Sequence, residues 1–178
     1  MGVDTAIQRE VASAGGQPVS ADFLQSLFVA ELIAPSTRLW LISPWLADIE
    51  LVDNRARQFS SLFPDWPVAY VRLSRVLETM LQRGAHIVVI MNQDERNNEF
   101  ARTLHELTRV YPYPQLRVER AANLHEKGIV GDHFSLSGSM NLTYHGVYVN
   151  EEQLLYTTDL AQVAERRLRL AQRWGEAE

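Results

Sequence analysis

The run "HIVVIM" (86–91) constrains the chain more than any other stretch. Its length and the unbroken apolar run that follows His86 read as a buried strand. Before it, residues 68–83 form an amphipathic helix, with Ala69, Leu73, Val76, Leu77 and Met80 on one side and Gly84 placed to end it. After it come a polar helix over 95–110 and an alternating strand, "QLRVER" (115–120). The same exchange of helix and strand runs along the rest of the chain. Ser20 or Asp22 can cap a helix over 23–33, which ends before Pro35. "TRLWLIS" (37–43) is a short strand broken by Ser43-Pro44-Trp45. Strands are expected over 124–131, 134–139 and 152–158, then a last helix over 159–174. Such interleaving makes an α/β layered domain.

Two segments stand outside this pattern. Residues 1–19 are polar with Gly15-Gly16, and read as a loose arm or short helix ahead of a single domain over 20–178. Residues 46–66 show no clean period and read as a long structured loop, ordered by Phe59, Phe63 and Trp66. At 178 residues the chain most simply makes one domain.

Composition narrows the function. The absence of cysteine excludes disulfides and thiolate metal sites. A net charge of −5 argues against a broadly basic nucleic-acid surface but leaves room for a locally positive cleft. No basic-then-apolar leader and no apolar stretch near the roughly 20 residues of a membrane span are visible, so a cytoplasmic protein without a membrane partner is expected.

The chemistry concentrates in "LHEKGIVGDHFSLSGSMNLT" (124–143). On an extended backbone His125 and Lys127 share a face, and so do Ser139 and Asn141. An ammonium and an amide donate to anionic oxygens, and an imidazole can attack phosphorus or carry a proton. The patch therefore suits a phosphodiester. Asp132 has the opposite parity and is expected to support the site rather than touch substrate.

His125-x-Lys127-x4-Asp132 followed by Gly138-Ser139-x-Asn141 resembles the signature of the phospholipase D superfamily, and Glu152 in "NEE" (150–152) resembles its downstream glutamate. Five residues separate Asp132 from Gly138 where the usual signature has six, which a tighter hairpin would explain. "SPWLADIELVDN" and "LHEKGI…GSMNLTYHG" together resemble the single-motif, nuclease-like members of bacterial DNA-modification and defence clusters, the DpdK-like group of 7-deazaguanine systems.

The resemblance implies a mixed β-sheet flanked by helices, and catalysis through a phosphohistidine without metal or cofactor. Two histidines are needed and the chain has one motif, so a homodimer is implied, placing two copies of His125 and Lys127 across one cleft. Lys127 and Asn141 would meet phosphoryl charge, and Glu152 would orient His125. Ser139 would bond the phosphate or the histidine.

The implied function is a DNA-directed phosphodiesterase, working alone or with other proteins of a modification or defence complex. Two alternatives stand beside it: a nucleic-acid-binding or assembly subunit with little turnover, and a phospholipid or small phosphodiester hydrolase.

Gly138, Trp45 and His145 are candidate substrate contacts. Trp45 either walls the cleft or belongs to the core, and His145 is a turn residue close enough to Asn141 to line the site. His133 reads as a turn residue; His86 and His105 read as structural. The Arg166, Arg167, Arg169 and Arg173 run suits a helix C-terminus, with phosphate binding as a secondary role.

Overall fold

The computed structural model describes residues 6–12 and 19–175. Its elements in chain order are β1 (Gln8–Ala12), α1 (Val19–Ile33), β2 (Arg38–Ile42), β3 (Glu50–Asp53), β4 (Tyr70–Arg72), α2 (Leu73–Gln82) and β5 (His86–Asn92). A 3-10 turn (Glu95–Asn97) then leads into α3 (Asn98–Val110). The chain closes with β6 (Leu116–Ala121), β7 (Gly128–Val130), β8 (Ser135–Gly138), α4 (Tyr144–Tyr148), β9 (Gln153–Thr157) and α5 (Leu160–Trp174).

Seven strands form one sheet in the order β1-β9-β8-β7-β2-β5-β6, and β3 pairs with β4 in a separate ribbon. β2, β5 and β6 are parallel, whereas β7, β8, β9 and β1 join antiparallel. The sheet is therefore mixed. β5 sits between two parallel neighbours, and all five residues from Ile87 to Met91 are buried. Alternation sends Ile87, Val89 and Met91 into the larger core with α1, α2 and α3, and Val88 and Ile90 into a smaller one with Leu124 and Leu170 of α5. Burying each such side chain contributes about 1.5–3 kcal/mol. The result is three layers, with α5 the one helix on the second face among the described residues.

The structure departs from sequence expectation where local pattern is weak. Residues 1–5 and 13–18 of the expected arm lie outside the described residues, but Gln8–Ala12 form an edge strand on β9 rather than a loose arm or helix. α1 begins at Val19, so Ser20 and Asp22 lie in its first turn. The loop over 46–66 contains β3, and the helix expected from residue 68 starts at Leu73 because Tyr70–Arg72 pair with β3. Gly84 closes α2 at a φ of +89°, a conformation glycine adopts without strain. Among the described residues no helix is long and apolar enough to cross a membrane.

Candidate active site

β2 and β5 run parallel, β5 extending two residues past the last pair, Ile42–Ile90, and ligands of open α/β sheets gather beyond such ends. Ile42, the last residue of β2, pairs with Gly128, the first of β7. His125 and Lys127 therefore project past the sheet beside Ser43 and Pro44. The regular strand is shorter than the expected 124–131, and both residues lie in its lead-in.

Three contacts hold that lead-in. Leu124 is fully buried against the α5 core, and its N–H donates to Asn92 Oδ1 at 2.7 Å. Glu126 turns the same way, toward Arg166 and Arg173 of α5. Lys127 faces the other layer, lining a narrow cleft with Ile129, Leu136 and Leu154, and its Nζ donates to the His125 carbonyl at 3.1 Å. Continued alternation puts His125, exposed, on the side of Lys127.

The second half of the motif arrives from β8. Gly138 has a φ of +152°, and a Cβ there would lie 2.0 Å from the Gln153 carbonyl oxygen. Only glycine permits this approach of β8 to β9. Ser139 is fixed as a result: its N–H donates to the Gln153 carbonyl at 3.1 Å, its Oγ accepts from Gln153 N at 3.1 Å, and its hydroxyl donates to Glu152 Oε2. Glu152, 8% exposed, also accepts from Asn150 Nδ2 at 3.2 Å. The Ser43 hydroxyl lies 3.3 Å from Asn141 Oδ1, so the Asn141 side chain is held beside Ser43, and its amide can offer a donor to an anionic oxygen. His125, Lys127, Ser139, Asn141 and Glu152 thus belong to one end of the sheet.

Asp132 belongs to the other end. The β7–β8 hairpin turns through residues 131–134, closed by Gly131 N–H to the Phe134 carbonyl at 3.1 Å. This tight turn accommodates the five-residue spacing. Asp132 Oδ2 accepts from both N and Oγ1 of Thr37 at 2.6 Å, and Oδ1 lies 2.7 Å from Arg167 Nη1. Burial works to raise its pKa, but the Thr37 hydrogen bonds and the Arg167 charge outweigh it and hold the carboxyl below its ordinary value. Ser36 Oγ accepts from Asp132 N and donates to Glu31, whose pKa burial raises despite the Ser36 hydrogen bonds. The aspartate anchors the hairpin to the start of β2.

Trp45 is half-buried at the sheet end and joins neither core. Its Nε1 donates to Asp94 Oδ2 at 3.2 Å, and the Arg96 guanidinium sits 4.1 Å from its ring centroid. Hydrogen bonds from Arg96, then from Trp45, hold the Asp94 carboxyl well below the usual carboxylate range. His145 is exposed on α4, its ring edge-on to Tyr144 at 5.9 Å. His133 is exposed in the hairpin turn.

Sequence reasoning passed over the residues that hold this end together. Fully buried Ser43 donates to the Trp45 carbonyl at 2.8 Å and accepts from Leu142 N at 3.2 Å. Buried Asn97 bonds Leu46 N, the Pro44 carbonyl and the Asn92 carbonyl at 2.8, 2.8 and 2.9 Å. The available signal was polar residues clustered just past strand ends, at Ser43, Asn92 and Asn97. Among the described residues no three His, Asp or Glu side chains converge as metal ligands would.

A family model described as "Cardiolipin synthase, PLD-like domain" matches residues 57–174, more than half of the chain. The chain belongs to the phospholipase D superfamily. Known structures repeat the fold. NucT from Helicobacter pylori is 14% identical with a TM-score of 0.62, the match covering 94% of each chain. Nuc, a phospholipase D family member from Salmonella typhimurium, is 15% identical with a TM-score of 0.61, covering 97% of each chain. Phosphatidylserine synthase from Haemophilus influenzae is 15% identical with a TM-score of 0.66, covering 96% of this chain and 40% of that one. No curated protein sequence matches the chain. Superfamily membership makes the His125–Asn141 end of the sheet the place to look for phosphodiester chemistry.

Proposed function

We propose that the protein is a metal-independent phosphodiesterase acting on DNA through a cleft shared by two copies of the chain. The observation that carries this reading is the gathering of His125, Lys127, Ser139, Asn141 and Glu152 at the sheet end where β2 and β5 finish. One copy supplies one imidazole and the reaction needs two. A ring nitrogen of one His125 attacks phosphorus, the phosphorus–oxygen ester bond breaks, and the departing oxygen takes a proton from the other His125. That second imidazole then removes a proton from water, whose oxygen displaces the first histidine. Lys127 and Asn141 from both copies stabilise charge on the phosphoryl oxygens. Glu152, acting with Ser139, positions the imidazole.

DNA as substrate is supported by the single-motif resemblance and by alignment along almost the whole of NucT and Nuc, where the phosphatidylserine synthase is matched over less than half its length. The resemblance to the DpdK-like group supports a role in a DNA-modification or defence system in the cytoplasm of a bacterium.

The test is cleavage of single- and double-stranded DNA, and of an aryl phosphodiester, in excess EDTA. Wild type should turn over at least one DNA form, and His125→Ala should lose activity by a factor of at least about 10². DNA bound without turnover of any substrate would overturn the enzyme reading in favour of a phosphate-binding subunit.

A further inference from the structure

A cavity of about 410 Å³ opens on the α5 face of the sheet end, walled by Glu126, Arg166, Arg169, Leu170 and Arg173. Its wall carries three guanidinium groups against one carboxylate, in a chain whose net charge is −5. Glu126 meets two of them at long range, 3.5 Å to Arg166 and 3.4 Å to Arg173, and Arg169 lies 4.0 Å from Glu165. Arg166 is 14% exposed and also donates to the Lys127 carbonyl at 3.3 Å and to Ser135 Oγ at 3.1 Å. Burial, and the neighbouring Arg169 charge, work against its proton despite Glu126. The cavity thus has surplus positive charge with rigid support.

Its position matters as much as its charge. Glu126 stands between His125 and Lys127 in the chain and points the opposite way, so the cavity and the catalytic patch lie on two sides of one stretch of backbone that projects past the sheet. We propose that this cavity binds a backbone phosphate of the nucleic acid next to the one being cleaved, so that the strand crosses the sheet end between the two sites. Guanidinium pairs bind phosphate oxygens through paired N–H donors, a geometry a phosphate can satisfy without base readout. This inference rests on the DNA reading given above.

The test uses the full chain and begins with calorimetric titration of pyrophosphate. Binding should persist in Lys127→Ala and weaken at least about fivefold in Arg169→Gln/Arg173→Gln, with Arg166 left in place to support the lead-in. Thermal midpoints establish that each variant is folded. Single-stranded oligonucleotide binding is then measured against salt in a His125→Ala background. Loss of the one phosphate contact should reduce the slope of log K on log salt by about 0.7. Pyrophosphate binding that ignores the arginine replacements, or an unchanged slope, overturns the site. Failure of the DNA reading itself shows separately, as wild type that neither binds nor cleaves the oligonucleotide.

Discussion

Ser139 and Glu152 are joined by a hydroxyl-to-carboxylate hydrogen bond running from the end of β8 to the start of β9. The bond ties the second half of the motif to the downstream glutamate. Both residues lie just outside regular strand, Ser139 after β8 and Glu152 before β9.

Glu152→Gln should therefore lower turnover of an aryl phosphodiester in EDTA by about 10²-fold with KM little changed. Ser139→Ala should cost about tenfold, equivalent to about 1.4 kcal/mol in the barrier. If Glu152 positions the imidazole, the Glu152→Gln pH–rate profile should also shift. A profile that keeps its shape while activity falls would assign Glu152 to folding alone.

Asp132→Ala should act on stability. Removing a carboxylate that serves Thr37 and Arg167 should cost about 1–3 kcal/mol at pH 7. The folded-state pKa lies below the ordinary aspartate value, so the stabilisation is fully present above about 3.9 and is lost as pH falls through the folded value. Denaturant melts of wild type and variant should differ at neutral pH and converge in acid. A gap that is constant from pH 7 to pH 2 would mean the charge is irrelevant.

Gly138→Ala should strain the β8–β9 junction, since φ is +152° and the new Cβ would meet the Gln153 carbonyl. A cost of about 1–3 kcal/mol is expected, with about 2–4 °C of thermal midpoint per kcal/mol. Turnover should fall further than stability, because Ser139 moves with the backbone.

Mixing experiments test the shared cleft. Wild type unfolded and refolded with His125→Ala at a fixed total concentration should show activity proportional to the square of the wild-type fraction. A linear dependence would mean each copy works alone. Wild type should also give a bell-shaped pH profile, because two imidazoles beside one phosphate divide the tasks of nucleophile and acid.

Much of this was legible in the sequence where physics is local. Ile87 to Met91 are buried because the run is apolar throughout, and the motif announces its chemistry by residue type and spacing. Short partners were less visible. β3 and β4 have four and three residues, too few to show a period, and were hidden in an expected loop and an expected helix. α4 is one five-residue turn, set by Thr143 Oγ1 accepting from Gly146 N at 3.3 Å. β1 is polar, and pairing with β9 rather than its own pattern makes it a strand. The scaffold role of Ser43 and Asn97 arises from contacts across distant parts of the chain, which no local window contains.

β1 also changes how the protein should be handled. Trimming to residue 20, a natural choice for crystallisation if the first residues are taken for a tail, would strip the outer partner from β9 and leave its N–H and C=O groups open along five residues. An uncapped strand of that kind recruits other chains edge to edge. The shortened protein should then elute as polydisperse aggregate, and the unpaired edge would begin one residue after Glu152.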